Sequence, residues 1–257
     1  MIVLKKIEGL NLTNLAITIG MFDGLHKGHI KLIEAVKKYS ELKGYNSAVM
    51  SFDMGNNIRM NKEKIILNSV KTNIIRKLNV DYYIYLDFDD VKNMPPLIFI
   101  EHLIHNLGVN IVVCGKDFRF GYKRQGDVAY LQKILKEHSK ELHIIETEFL
   151  NGEKISSSNI RLHIKNGEIK KANELLGKNF SLNFLPVLNE EKYLLQIFYN
   201  NFVSPPNGKY FSVFNSGDIR FETYTVIDEV MGRKIAKTYT DEPIFNNDVS
   251  VELIDKC

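Results

Sequence analysis

The first 180 residues alternate short apolar runs with longer segments whose apolar residues recur at helical spacing. Leu15–Phe22 and Val109–Gly115 are apolar at nearly every position, which is typical of strands buried on both faces of a sheet. Lys27–Lys43 carries apolar residues near a 3.6-residue period and therefore predicts an amphipathic helix. This alternation favours an α/β fold in which a parallel sheet has helices on both faces.

The same periodicities assign the other elements of this region. We predict strands at Asn46–Phe52, Val80–Phe88 and Leu142–Phe149, and helices at Lys62–Leu78, Leu97–Leu107, Asp127–His138, Ser158–Lys165 and Glu168–Leu176. In parallel sheets of this kind, ligands bind at the carboxyl ends of the strands, beside helix N-termini. The segments that directly follow the strands are therefore the first candidates for chemistry.

The pattern changes after about residue 180, where helical periodicity fades. Arg220–Ile227 and Val249–Ile254 alternate apolar and polar residues, which indicates antiparallel strands. We therefore predict two domains, an α/β domain over residues 1–185 and a small, mostly β domain over residues 186–257. A β-rich domain of this size is only marginally stable alone and is expected to depend on the first domain.

Composition narrows the class of protein. Of 257 residues, 44% are hydrophobic and 25% charged, as in ordinary soluble globular proteins. The net charge of +3 does not indicate a nucleic-acid or membrane partner, but it is compatible with a phosphorylated small substrate. No apolar stretch approaches the roughly 20 residues of a spanning helix, and Met1–Lys6 does not resemble a signal peptide. Because Cys114 and Cys257 lie far apart, we expect no disulfide and a cytoplasmic location.

The strongest local signal is the segment GMFDGLHKGH, which lies between a predicted strand and a predicted helix. Its three glycines, Gly20, Gly24 and Gly28, allow the backbone to approach a ligand closely. His26 and His29 stand three residues apart at the helix entrance, where free N–H groups and the helix dipole favour an anion. The segment matches neither GxxxxGK[ST] nor GxGxxG, so histidines and backbone groups would hold the phosphates. The alternative is a pair of ordinary capping histidines.

Two later segments also follow predicted strands. Ser156–Ser158 precede a helix, and Arg161 follows one turn later, which is a suitable arrangement for phosphate oxygens. Asp117, Phe118 and Phe120 follow the apolar strand Val109–Gly115, so the rings can lie beside a planar ligand and the carboxylate can face Mg²⁺ or a hydroxyl. The alternatives are a serine N-cap with a surface arginine, and two core phenylalanines beside a solvated ion pair.

These segments together carry a family resemblance. GMFDGLHKGH resembles the HxGH signature of nucleotidylyltransferases. CGKDFRFG, followed by Gly126-Asp127, resembles the G-[DN]-F-x-F-G loop of bacterial FAD synthetases, and ISSSNIR resembles their ISS[ST]xIR motif. The motifs occur in the family's order over about residues 10–180. The chain thus resembles the adenylyltransferase module of the prokaryotic bifunctional riboflavin kinase/FMN adenylyltransferases.

This resemblance implies a Rossmann-like nucleotidylyltransferase domain that makes FAD and pyrophosphate from FMN and ATP with Mg²⁺. It implies catalytic roles for His26, His29 and Arg161, a metal contact for Asp117, and substrate contacts for Gly20, Phe22, Asp23, Gly28, Gly115, Asp117, Phe118, Phe120, Ser156, Ser157 and Ser158. ATP and FMN would be the small-molecule partners, without nucleic acid or membrane.

The chain departs from the family in two places. Residues 51–57 read SFDMGNN where the family has TFxPHP, which removes that loop's histidine and prolines. No string like GFPTAN occurs between Lys178 and Cys257, so we expect a degenerate barrel without riboflavin kinase activity that covers the first domain or mediates self-association. Two other functions stay open: a nucleotidylyltransferase for another acceptor, and a non-catalytic regulator that binds flavin or nucleotide.

Overall fold

The computed structural model describes residues 1–7, 12–54, 63–182, 184–188, 193–198, 201–230, 233–239 and 249–257. The chain forms two compact units. The first unit runs to Asn57 and resumes over Asn68–Glu148, whereas the second combines the segment ending at Leu67 with Phe149–Cys257. These units do not coincide with the predicted domains 1–185 and 186–257. The division into these two domains stays a prediction.

The first unit contains a parallel sheet. Its elements are β1 (Ile2–Leu4), β2 (Leu15–Ile19), α1 (Lys27–Lys43), β3 (Asn46–Asp53), α2 (Asn68–Lys77), β4 (Tyr82–Asp87), α3 (Phe88–Val91), α4 (Pro96–His105), β5 (Val109–Gly115), α5 (Val128–Glu137) and β6 (Glu141–Ile145). The six strands pair in the order β1-β4-β3-β2-β5-β6, and every pairing is parallel. The predicted α/β class with a parallel sheet is confirmed.

Helices cover the central strands of this sheet on both faces. Leu15 and Ile17 belong to a core that includes apolar residues of α4 and α5. Ala16, from the same strand, packs with Val36 of α1 on the opposite face. All five residues of β2 are therefore buried, which explains why this strand is apolar without alternation.

The sequence periodicity predicts α1 and β5 with the observed bounds, but it places the start of α2 too early. The helix predicted from Lys62 begins at Asn68, and residue 62 itself lies outside the described residues. Lys64 instead forms a β-bridge with Phe202, and the N–H of Lys64 donates to the Asn201 carbonyl at 2.8 Å. This contact joins residues far apart in sequence, so a local pattern cannot reveal it.

The second unit contains an antiparallel sheet and two helices. Its elements are β7 (Phe149–Leu150), β8 (Glu153–Lys154), α6 (Ser157–Asn166), α7 (Ile169–Leu176), β9 (Phe180–Ser181), β10 (Phe184–Leu188), β11 (Tyr193–Phe198), β12 (Gly208–Ser216), β13 (Ile219–Val230), β14 (Arg233–Tyr239) and β15 (Val249–Lys256). Seven strands pair in the order β10-β11-β14-β13-β12-β15-β9. The predicted antiparallel character of the C-terminal region is confirmed.

The two helices of this unit are tied to its sheet. α7 packs against α6 and against β15 and β9. The Asn173 side chain donates to the Leu253 carbonyl at 2.8 Å and accepts from the Phe180 N–H at 2.7 Å. None of the helices in the described part of the chain is both long and apolar enough to cross a membrane.

Candidate functional site

Two of the predicted motifs leave the parallel sheet from neighbouring strands. Residues 20–29 follow β2, and residues 116–121 follow β5, which pairs directly with β2. From β2 the chain proceeds through β3 and β4 on one side of the sheet, whereas β5 and β6 lie on the other side. The carboxyl ends of β2 and β5 therefore flank a topological switch point, where ligands of such sheets bind.

The loop after β2 has an unusual backbone that buried side chains hold in place. Phe22, Gly24 and Leu25 have φ values of 49°, 83° and 44°. Glycine adopts such values easily, but Phe22 and Leu25 do so at a cost in backbone free energy. Both side chains are 1% exposed, so their burial compensates for the strain. The loop therefore presents a fixed backbone at the entrance of α1.

His26 and His29 lie together at that entrance. His26 is the N-cap of α1, and its Nδ1 accepts a hydrogen bond from the His29 N–H at 3.3 Å. Since Nδ1 accepts, a neutral His26 carries its proton on Nε2. The two rings stack with centroids 3.6 Å apart and planes inclined by 17°. The prediction that both histidines lie on the same side of the helix entrance is confirmed.

Phe22 and the glycines support these imidazoles. The Phe22 ring packs edge-on against His29, with centroids 5.2 Å apart. Phe22 itself is buried, and its predicted substrate contact stays a prediction. A Cβ at Gly28 would contact the His26 ring at 3.4 Å, and one at Gly20 would meet the Phe22 ring at 3.3 Å. Asp23 is half-buried in the same loop, and its predicted substrate contact stays a prediction.

The start of α1 favours an anion. The first turn contains no acidic side chain, and Lys27 opens it with a positive charge. The N-terminus of a helix contributes about 0.3–1 kcal/mol to binding of a negative charge. Two stacked imidazoles repel one another if both are protonated, and a bound anion would offset this repulsion. The arrangement is suited to a phosphate group.

A buried lysine lies beneath the loop, and the sequence reasoning missed it. Lys71 of α2 is 4% exposed, and its Nζ donates to the Met21 carbonyl at 3.2 Å and to Ser51 Oγ at 3.0 Å. Ser51 also donates to the Met21 carbonyl, at 3.1 Å. The Lys71 ammonium lies 5.3 Å from the centroid of the Tyr85 ring. The available signal was its position four residues before Ile75, on the buried face of α2.

The tyrosines beside Lys71 stay neutral near pH 7. Burial raises the pKa of Tyr83 to about 12. Burial, followed by the nearby charge of Asp53, also raises the pKa of Tyr85. The two rings stack with centroids 5.6 Å apart, in agreement with the packing role that their alternation along the strand predicts. The hydroxyls therefore add no negative charge beside the lysine.

The loop after β5 is built around Phe120. Its N–H and carbonyl exchange hydrogen bonds with Gly126 at 3.1 and 3.0 Å, and its ring packs near Phe99 and Phe118. At 7% exposure Phe120 belongs to the hydrophobic core, and its predicted flavin contact stays a prediction. A Cβ at Gly126 would lie 2.6 Å from the Phe120 ring, which explains the glycine. Phe118 is half-buried and packs against the same core.

Asp117 is the predicted metal residue in this loop. Its side chain is exposed at the carboxyl end of β5, and a Cβ at Gly115 would lie 3.3 Å from its Oδ1. The described residues contain no cluster of three or more His, Cys, Asp or Glu side chains that would hold a metal. Mg²⁺ usually takes one or two protein carboxylates, together with substrate phosphates and water. A single exposed carboxylate therefore fits this ion.

The serine-rich motif belongs to the second unit. Ser156 is the N-cap of α6, and its Oγ accepts from the Asn159 N–H at 3.2 Å. Ser157 and Ser158 form the first turn of this helix, as predicted. Arg161, one turn later, donates from Nε to the Glu63 carbonyl at 2.6 Å. The serine cap is thus present, and the guanidinium is anchored to the segment that precedes α2.

A second buried histidine, His163, follows this motif and was also missed. It is 8% exposed, and its two ring nitrogens lie 2.7 Å from Glu168 Oε2 and 2.9 Å from Glu153 Oε1. Carboxylates only accept hydrogen bonds, so both nitrogens donate when the imidazole is protonated. Lys171, and secondly His163, lower the pKa of Glu168 to about 2. His163 therefore joins the strand before the serines to the start of α7.

Two further histidines and a group of aspartates lie outside the predicted motifs. His102 and His105 lie on α4, where His102 Nδ1 is 3.3 Å from the Asn106 side-chain oxygen and the His105 ring is 6.0 Å from that of His138. Asp87 caps the short helix α3, which the sequence analysis did not predict, by accepting from the Asp89 N–H at 2.9 Å. Asp87, Asp89 and Asp90 therefore lie at the start of α3.

A family model and the curated relatives indicate the same family. A family model described as FAD synthetase matches residues 10–159. A bifunctional riboflavin kinase/FMN adenylyltransferase from Listeria monocytogenes is 32% identical over 64% of this chain and 54% of its own length. The corresponding enzyme from Bacillus subtilis is 29% identical over 75% of this chain and 65% of its own length. The chain thus spans little more than half the length of the first curated relatives that it matches.

One solved structure resembles the chain throughout. The crystal structure of a protein described as a macrolide-efflux protein from Streptococcus pneumoniae superposes with a TM-score of 0.84. The alignment covers 100% of this chain and 90% of that chain, at 19% sequence identity. At this identity the likeness concerns the fold alone.

Proposed function

Because the chain belongs to the FAD synthetase family, we propose that it is an FMN adenylyltransferase, which converts FMN and ATP into FAD and pyrophosphate. The observation that supports this best is the pair His26 and His29, stacked at the start of α1 beside the switch point of the parallel sheet. That place combines a helix N-terminus, two imidazoles and an absence of acidic side chains in the first turn, which suits ATP phosphates.

In the proposed reaction, a phosphate oxygen of FMN attacks the α-phosphorus of ATP. A bond forms between these atoms, the bond from the α-phosphorus to the bridging oxygen breaks, and pyrophosphate leaves with the electron pair. No covalent bond to the protein is required, so catalysis depends on positioning and on stabilisation of charge. His26 and His29 would donate to phosphate oxygens as charge develops on them.

Asp117 would hold Mg²⁺ at the carboxyl end of β5. When bound, the ion would neutralise part of the charge on the phosphates. Phe118, half-buried beside it, is the residue of this loop that we assign to flavin contact. Gly20, Gly28 and Gly115 would let the backbone approach the substrates.

The serine-rich motif would hold the leaving pyrophosphate. Ser156, Ser157 and Ser158 lie at the start of α6, where N–H groups favour an anion. Arg161 would grip phosphate oxygens from the same helix, since a guanidinium recognises them in a bidentate manner.

We further propose that the chain lacks riboflavin kinase activity, although its relatives are described as bifunctional. The support is the sequence after Lys178, which contains no string like GFPTAN. A kinase step needs its own site for phosphate and metal. Glu222, an exposed acid of β13, could act as a base but cannot by itself form such a site.

Product analysis tests both parts of this proposal. The purified chain is incubated with ATP and Mg²⁺, and with either FMN or riboflavin, and the flavins are separated by chromatography. We expect FAD from FMN, and no FMN from riboflavin above the level of a heat-inactivated sample. If no FAD forms but another phosphorylated acceptor is adenylylated, that acceptor and not FMN is the substrate. If no pyrophosphate is released with any acceptor, the chain is a binding protein.

A further inference from the structure

We propose that Lys71 is a positioning residue for this reaction: it holds the Met21–Phe22 peptide, and through it the imidazole of His29. The inference rests on the proposed function for its kinetic consequence, but its structural part is independent of turnover. Lys71 lies outside the histidine, aspartate–phenylalanine and serine motifs, and it is one of the few charged side chains buried among the described residues.

Two buried side chains donate to the Met21 carbonyl. It accepts from Lys71 Nζ at 3.2 Å and from Ser51 Oγ at 3.1 Å, and these two donors are themselves 3.0 Å apart. Lys71 comes from α2 and Ser51 from β3, so two separate elements hold one carbonyl. A carbonyl with both acceptor positions occupied by buried donors cannot rotate without leaving those donors unsatisfied.

Because the peptide bond is planar, holding the Met21 carbonyl also restrains Phe22. The Met21 carbonyl and the Phe22 nitrogen belong to the same peptide plane. Fixing this plane limits rotation about the N–Cα bond of Phe22, whose φ of 49° lies in the left-handed region. A non-glycine residue keeps such a value only when the surrounding structure imposes it. The two hydrogen bonds impose it here from one side, and the buried Phe22 ring does so from the other.

The Phe22 ring in turn supports the two histidines. The Phe22 ring packs edge-on against His29, with centroids 5.2 Å apart, and His29 stacks on His26 at 3.6 Å. If the Met21–Phe22 peptide rotated, the Phe22 ring would move and both imidazoles would lose their support. A displacement of about 1 Å in such a site can cost about 100-fold in rate.

The buried Lys71 ammonium serves to hold this carbonyl more than to stabilise the fold. The ammonium is covered by the Met21 carbonyl, the Ser51 hydroxyl and the face of the Tyr85 ring. Burying a charge is costly, so this arrangement contributes little to stability compared with an apolar side chain of the same size. Removing the Lys71 charge should therefore affect catalysis more than folding.

The test uses Lys71→Met, which keeps the length of the side chain and removes the donor. We expect kcat for FAD formation to fall about 10–100-fold, with KM for ATP and FMN changed less than about threefold and the melting temperature close to that of the wild type. Lys77→Met, at an exposed position on the same helix, is the matched control and should behave like the wild type.

A spectroscopic readout separates this role from a general structural one. The chain has seven histidines, and ¹⁵N labelling of their rings allows His26 and His29 to be followed by NMR. Their signals should shift in Lys71→Met and not in Lys77→Met, whether or not the protein makes FAD. If the wild type makes no FAD, the proposed function fails while this readout still decides the role of Lys71.

A further comparison keeps the test decisive. Ser51→Ala removes the second donor to the Met21 carbonyl and should shift the same two histidine signals, which also covers the case in which Lys71→Met does not fold. The effects of Ser51→Ala and Lys71→Met on kcat should not be additive, because both act on one carbonyl. Unchanged His26 and His29 signals in these variants, or wild-type kcat in Lys71→Met, would overturn the proposal.

Discussion

The imidazole rings of His26 and His29 stack with their centroids only 3.6 Å apart at the first turn of α1. Two positive charges at this distance repel one another, and a nearby anion offsets this repulsion. A phosphate at the helix N-terminus would supply such an anion. Binding of ATP and protonation of the pair are therefore expected to support each other.

His26→Ala and His29→Ala should each remove most FAD formation while the fold is retained. Loss of one donor that stabilises charge in the transition state costs about 10²–10³ in kcat. His105→Ala, at an exposed position on α4, is the control and should keep wild-type activity. Steady-state assays of FAD formation, with circular dichroism of each variant, give the comparison. Turnover near the wild-type level in both histidine variants would exclude this site.

Arg161→Lys should lower kcat/KM for ATP more than the same change at a surface arginine. A lysine keeps the positive charge but loses the planar, bidentate donor group, and it cannot reproduce the bond from Nε to the Glu63 carbonyl. Arg76→Lys on the exposed face of α2 is the matched control. A structure with bound nucleotide in which Arg161 makes no phosphate contact would contradict this role, even if the rate fell.

The Glu168 carboxylate should make stability depend on pH in the acidic range. Its pKa in the folded protein is about 2, below the ordinary value of 4.5, because Lys171 and His163 favour the ionised form. The stabilisation is therefore complete above about pH 4.5, decreases as the pH falls, and is lost near pH 2. The difference in the free energy of unfolding between the wild type and Glu168→Gln should shrink over this range. Glu174→Gln, at an exposed position on α7, is the control variant for this measurement. A constant difference for Glu168→Gln would refute the assignment.

Lys178→Met should stabilise the protein. The Lys178 Nζ is buried without a hydrogen-bond partner among the described residues, and burial lowers its pKa to about 8. Below pH 8 the folded state bears the full cost of the buried charge, on the order of 1–3 kcal/mol. This cost declines between pH 8 and 10.5, where the unfolded chain still binds the proton. Chemical denaturation at pH 7 and pH 10 should show a larger gain at pH 7, with the exposed Lys170→Met as control.

Most of the parallel sheet could be predicted because the spacing of apolar residues within one segment indicates whether that segment is a helix or a strand. α1 is amphipathic over its whole length, and β5 is apolar at nearly every residue, so both were predicted with the observed bounds. The predicted α2 extends too far because Ile65 and Ile66 are buried although they precede the helix, and the neighbouring Lys64 pairs with the distant Phe202. A hydrophobic residue shows that a position is buried but not which element buries it.

The site was predicted where glycines, histidines and serines mark it, and missed where the partners are distant in sequence. Lys71 depends on Met21 and Ser51, which are 50 and 20 residues away. His163 is joined to Glu153 across the serine-rich motif. A buried charged side chain resembles a surface residue until the fold shows what surrounds it. Phe120 presents the opposite case, since an aromatic residue in a motif proved to belong to the core.

Transfer of label from the α-phosphorus of ATP to FAD is the decisive measurement of this activity. The chain is incubated with Mg²⁺, FMN and ATP labelled at the α-phosphorus, and the products are separated and counted. Label should enter FAD in an amount equal to the pyrophosphate released, and His29→Ala should reduce both rates by about 10²–10³. Label that stays in ATP, or that enters a product other than FAD when FMN is the acceptor supplied, would contradict the proposed activity.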